Sequence, residues 1–262
     1  MRIPRFAWMA ALVPLLSAQA VNVNDLIAAQ RKQLETADFR ATGQFIRVQA
    51  NGIRASVPIT IKAHWFPGVL RTRVELGTLA KPGSNPAAGL HMPVHILLEL
   101  RSNGQSAIWI AHPGDKTAMV LPTSQWSDGP LGPDFSYEDF LEQHYFWSGQ
   151  TSAGKAKFGA RDCEVVKSTP GPAARTHYSE VRTWIDPSIG FPVYAEKTVK
   201  ESGAVKEFTS FGLRHEQGQW SAHQIEVRTR GQSGSTLLII DRGSAKANLT
   251  AADFGLEQLT KF

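Results

Sequence analysis

The sequence predicts a mainly β protein with helices, an α+β arrangement. A curved antiparallel sheet, or incomplete β-barrel, of about eleven strands carries helices on its concave face. Three observations predict it. Apolar and polar residues alternate with period two through most of the chain, the signature of half-buried antiparallel strands. Turn sequences such as Asn103-Gly104, Asp186-Pro187-Ser188 and Glu201-Ser202-Gly203 interrupt that alternation at short intervals. One stretch, Asp134–Trp147 (DFSYEDFLEQHYFW), breaks the period and reads as a helix.

The chain has 262 residues and opens on a pattern of export. Arg2 and Arg5 precede an apolar run from Phe6 to Leu16, and Ala18-Gln19-Ala20 is an A-x-A cleavage site. Residues 1–20 read as a signal peptide, and residues 21–262 as a single domain large enough for a sizeable core. The apolar run is shorter than the ~20 residues that span a bilayer. Cys163 is the only cysteine, so no internal disulfide forms and no cysteine follows the leader for lipidation. The expected location is the periplasm, unanchored. The formal net charge of +5 is spread between strands without a basic stripe, which argues against nucleic acid.

In chain order, Asn24 caps a helix running to about Ala37, with Leu26, Ile27, Gln30 and Leu34 on one face. Strands follow at 44–50, 57–65 and 69–76. Gly77–His91 has no period and reads as a functional flap or a disordered tip. Strands resume at 92–101, 105–111 and 116–121, and a Pro/Gly-rich approach at 122–133 leads into the Asp134–Trp147 helix. The remaining strands fall near 155–168, 176–186, 191–201, 204–214, 219–230 and 234–242. Thr250 and Asp253 form a capping pattern before a short terminal turn.

Capping chemistry defines the central helix. Ser136 and Asp139 fit the S-x-x-D box, and Phe135 and Phe140 occupy the two positions of a hydrophobic staple. Glu138, Asp139 and Glu142 read as a solvated first turn that complements the helix dipole.

Catalytic and metal motifs are missing from the sequence. His91 and His95 lie i, i+4, but around Pro93 in a strand context that spacing is ~13 Å. His215 and His223 flank the Gln217-Gly218 turn out of register. Gly231-Gln232-Ser233-Gly234 lacks the last glycine of a nucleophile elbow. Cys163 sits in a strand pattern as a buried structural thiol. No phosphate-binding glycine loop or dinucleotide fingerprint occurs. These readings predict a non-enzyme without cofactor or metal. The tryptophans suit either ordinary core packing or the wall of an apolar cavity.

Asp134-Phe135-Ser136-Tyr137-Glu138-Asp139 resembles a signature of the outer-membrane lipoprotein-sorting, LolA-like and LolB-like, family. The resemblance continues through Trp184-Ile185-Asp186, Phe191-Pro192-Val193, Gly203, Lys206, Trp220, Thr236 and Asp253-Phe254, covering roughly residues 120–255. It implies an incomplete barrel closed by helices, and a periplasmic carrier that shields lipid or lipoprotein acyl chains. An inner-membrane exporter and an outer-membrane acceptor are the implied partners. In that picture the two helices are lids. The cavity would be lined by Ile59, Ile61, Trp65, Ile96, Leu98, Ile108 and Ile110 on the sheet, with Phe140, Leu141 and Tyr145 from the lid. The same residues serve equally in a filled core. The protein would then be a non-enzymatic interaction module of an envelope or exporter complex.

Overall fold

A computed structural model describes residues 22–77, 93–216 and 218–262. The segment expected to be a signal peptide, the connection after Gly77 with His91, and Gln217 lie outside the described residues. Among the described residues thirteen strands form one sheet. The first half contributes β1 (Asp38–Val48), β2 (Arg54–Phe66), β3 (Val69–Leu76), β4 (Val94–Arg101), β5 (Ser106–Ala111) and β6 (Met119–Val120). The second contributes β7 (Gly149–Phe158), β8 (Arg161–Thr169), β9 (Tyr178–Asp186), β10 (Phe191–Val199), β11 (Val205–Glu216), β12 (Gln219–Thr229) and β13 (Ser235–Ser244).

The order is β6-β5-β4-β3-β2-β1-β13-β12-β11-β10-β9-β8-β7, antiparallel throughout. Each half is a meander, and the halves join where β1 pairs with β13. The sheet does not close, because β6 and β7 stand at opposite edges. A register shift at Thr42/Gly43 marks the joining pair. Gly43 is required there, since a Cβ would collide with the Ile239 carbonyl. β12 pairs with β13 only from Gln224 to Val227, so the two strands part beyond that point.

Alternation of burial along β2 follows the alternation in its sequence, with Val57, Ile59, Ile61 and Ala63 inward. The stretch read as one strand at 155–168 is instead two. β7 and β8 form a hairpin turning at Gly159, whose φ is +58°. β1 begins at Asp38, earlier than its pattern suggested. The first helix, α1 (Val23–Glu35), is capped by Asn22 rather than Asn24: the Asn22 side chain accepts from the Asn24 N–H at 3.0 Å.

The Asp134–Trp147 segment is not a continuous helix. Two single 3-10 turns, Tyr137–Phe140 and Gln143–Phe146, flank an extended Leu141. One helical stripe cannot serve the three destinations this segment serves. Phe135, Phe140 and Leu141 go to the main core beside Phe45, Ile59 and Leu98. Tyr145 goes to a second cluster with Leu26 and Ile27 of α1, Val166 and Ile185. Glu138 and Asp139 go to partners beside and on β9–β11. The capping box and the staple do form. The Ser136 N–H donates to Asp139 Oδ2 at 2.8 Å, and the Phe135 and Phe140 rings lie 4.7 Å apart. On the other face of β4 and β5, Phe254 and Leu259 of the C-terminal turn and α2 (Leu256–Leu259) cover Leu97 and Ala111. The Thr250–Asp253 box forms as well, with the Thr250 N–H donating at 3.0 Å.

Candidate functional site

Between α1, the central segment and the sheet lies a cavity of about 320 Å³. Its walls are mostly apolar: Leu34 and Ala37 near the end of α1, Ile61 and Leu70 on β2 and β3, and Phe208, Ile225 and Leu238 on β11–β13. Phe140 and Tyr145 of the central segment complete it. Below the end of α1 it adjoins a groove of about 740 Å³, with Leu34, Ala37, Phe39, Ile61 and Leu238 on both. The groove opens where β12 and β13 part, between Trp220 and His223 on one side and Ile240 on the other.

Besides the packing of Leu26 and Ile27 against Tyr145, Val166 and Ile185, α1 is held over this space by a few polar ties. Gln30 Nε2 donates to the Gly190 carbonyl at 2.9 Å, and Arg31 Nε to the Tyr145 carbonyl at 2.6 Å. The Arg31 guanidinium also stacks 5.5 Å from the Phe146 ring. On the far side of the covering segment, Arg47 of β1 donates to the Leu131 carbonyl at 3.1 Å. Gly132, at φ +127°, is where that guanidinium passes; a Cβ would collide with it.

Of the ten residues expected to line a cavity, Ile61, Phe140 and Tyr145 do so. Ile59, Ile96, Leu98, Ile108 and Leu141 are buried in the close-packed core instead, where residues 121–141 fill the space against β2–β5. Trp65 stacks on Phe146 at 6.3 Å, and Ile110 borders a separate, more polar hollow near His112 and Asp128. The cavity sits further along the sheet, under α1 and over β11–β13. Phe208, Ser210, Ile225 and Leu238 share the inward face of those strands, and sequence alternation does not distinguish a packed face from a hollow one.

The carboxylates read as a solvated turn correct differently. Glu138 and the Asp139 side chain are buried. Glu138 accepts from the His177 N–H at 2.9 Å, from His177 Nδ1 at 2.5 Å, and from Thr176 and Gln143. Asp139 accepts from Lys197 Nζ at 2.9 Å and from the Tyr178 hydroxyl at 2.6 Å, with Lys206 Nζ 3.5 Å away. Burial pushes the Asp139 carboxyl up, but Lys197, Lys206 and the Tyr178 and Ser136 hydroxyls outweigh it and hold it well below the usual carboxylate range. Both lysines are themselves buried and directly opposite each other on β10 and β11. A lone carboxylate between two buried ammonium groups ties the covering segment to the second half of the sheet. Glu142, by contrast, is open to the cavity.

No group of three or more potential metal ligands occurs among the described residues. His95 Nδ1 lies 2.9 Å from the Leu259 carbonyl, and Cys163 is buried in β8.

A family model described as uncharacterized-protein-like matches residues 95–261. The chain belongs to that family. A comparison with curated proteins gives no match. Solved structures share the fold. A domain assigned to outer membrane lipoprotein sorting, from Vibrio parahaemolyticus, superposes with a TM-score of 0.76 at 20% identity, over 92% of this chain and 100% of that one. A DUF1329 family protein from Desulfovibrio piger gives 0.76 at 16% identity, over 90% and 97%. A LolA superfamily protein from Nitrosomonas europaea gives 0.65 at 15% identity, over 92% and 100%. The architecture shared with these structures is an open antiparallel sheet with helical cover. No helix among the described residues is long and apolar enough to cross a membrane.

Proposed function

We propose that this protein is a non-catalytic carrier, residues 21–262 acting as one domain after a cleaved leader. It shelters lipid or lipoprotein acyl chains and moves them through the periplasm between inner and outer membranes, from an exporter to an acceptor. The observation that carries this reading is the apolar space under α1, which opens to a wider groove. The shared fold with a domain assigned to lipoprotein sorting supports it.

The physical demand is clear. An acyl chain of about fifteen methylenes costs ~12 kcal/mol to leave in water, at ~0.8 kcal/mol per CH₂. A carrier offsets most of that and still releases its cargo. A cover with few ties does both when its open and closed states differ by only a few kcal/mol. The competing reading, an interaction module with a filled core, describes β2–β5 well but leaves the space under α1 unexplained.

Cavity occupancy tests the proposal. Delipidated protein is expected to take up N-phenyl-1-naphthylamine with a fluorescence gain that added acyl lipid reverses. Absence of uptake would favour the interaction module.

A further inference from the structure

One end of the cavity is polar. Lys197, His144, Thr183, Asp139 and Glu142 line it together with the apolar residues. Lys197 is 6% exposed, His144 5% and Thr183 1%. Part of their hydrogen-bonding capacity is unspent. Lys197 carries three N–H donors, of which one meets Asp139 at 2.9 Å. The same Nζ lies over the Phe208 ring, 4.2 Å from its centre, and 5.4 Å from the centre of the Tyr178 ring. Nε2 of His144 and Oγ1 of Thr183 have no hydrogen-bond partner among the described residues. Thr183 stands beside the Tyr145 hydroxyl. Buried polar groups ordinarily find partners, so three under-used ones at the end of an apolar space point to a ligand atom that accepts.

The charges point the same way. Two buried lysines share one aspartate. The nearby Glu138 is committed to His177, Thr176 and Gln143. We propose that this end of the cavity seats the carboxylate of a single-chain acyl ligand, a free long-chain fatty acid. Lys197 is its ion-pair partner, Thr183 and His144 are further donors, and the chain runs out beneath α1 into the groove. This rests on the carrier reading and narrows its cargo. A terminal methyl placed here would leave His144 Nε2 and Thr183 Oγ1 without a partner and offer nothing to the remaining donors of Lys197.

Glu142 faces the same space and makes no ion pair among the described residues. Its side chain is exposed, so solvent screens its charge. Within the buried group of Lys197, Lys206 and Asp139, a ligand carboxylate brings the sum to zero. Burial and Lys197 hold the His144 imidazole well below its ordinary value, leaving a neutral ring with one N–H to give.

The test compares ligands of equal tail. Delipidated full-length protein is titrated with palmitate and 1-hexadecanol in competition with N-phenyl-1-naphthylamine. Palmitate should bind about ten-fold tighter than the alcohol, as expected for one charge-assisted hydrogen bond. Lys197→Met and Thr183→Val should each narrow that ratio. Should Lys197→Met fail to fold, Thr183→Val and a measurement on the wild type carry the test: the carboxyl-carbon NMR signal of bound [1-¹³C]palmitate should not titrate as free fatty acid does. Equal affinity for acid and alcohol, or a bound carboxyl that titrates as in solution, would overturn the carboxylate seat while leaving the carrier intact. Failure of the naphthylamine probe and both lipids to bind would overturn the carrier reading itself.

Discussion

Phe140 and Leu141 are neighbours in sequence with different work to do. Phe140 is half-buried on the cavity wall, against the rings of Phe45 and Phe135. Leu141 is 3% exposed in the close-packed core. Leu141→Ser should therefore cost ~2–5 kcal/mol of stability through lost apolar contact and a buried hydroxyl. Phe140→Ser should cost less stability but weaken lipid retention more, and parallel denaturation and lipid-binding curves would separate the two. Asp139 makes a second prediction. Its carboxyl is depressed in the folded state, so its stabilising contribution is full above the ordinary carboxylate value of about 4. That contribution is lost progressively as pH falls below this value toward the folded-state value. At neutral pH Asp139→Asn should cost ~3–5 kcal/mol, because two buried ammonium groups lose their anion. Melting curves from pH 7 downward should converge for wild type and variant as the acid limb is entered. A constant difference in stability across that range would assign the cost to shape rather than charge.

At the scale of elements, the strands were legible and the covering pieces only partly so. Alternation located most strands because each has one face toward the core, as Val57, Ile59, Ile61 and Ala63 show on β2. It merged β7 with β8 because β7 is an exposed edge strand, so the turn at Gly159 was the only signal there. The Ser136–Asp139 box was legible because its partners lie within three residues. The fate of the carboxylates was not. The partners of Asp139 on β10 and β11 lie 58 and 67 residues away, and His177 lies 39 from Glu138. Local sequence scored those acids for a solvated helix end, and tertiary pairing broke the helix to reach them. The cavity was hidden for another reason: apolar periodicity reports which way a side chain points, not whether anything meets it. α1 carries the element-scale prediction. Held by the small Leu26–Ile27 cluster and by polar ties at Gln30 and Arg31, its amides should exchange hydrogen faster than those of β3 and β4, and lipid should slow them selectively. Gln30→Ala with Arg31→Ala should speed lipid release. Protection of α1 equal to that of the central strands would make it core rather than cover.

For the molecule as a whole, function follows from how one sheet is filled. The β2–β5 half is packed solid by residues 121–141, which gives the fold a rigid wall. The β9–β13 half is covered by α1 and the Tyr145 turn, and there the space stays open. The two halves are joined through β1–β13 and tied again by Asp139 to Lys197 and Lys206. In the proposed carrier, loading and release would use the parting of β12 and β13, which lies apart from the packed half. The most direct test of that claim is native mass spectrometry of the protein purified without detergent and then re-exposed to acyl lipid. The account predicts a bound population heavier by the mass of one acyl ligand, released under mild collisional activation while the protein stays folded. A single ligand-free mass both before and after exposure would contradict it.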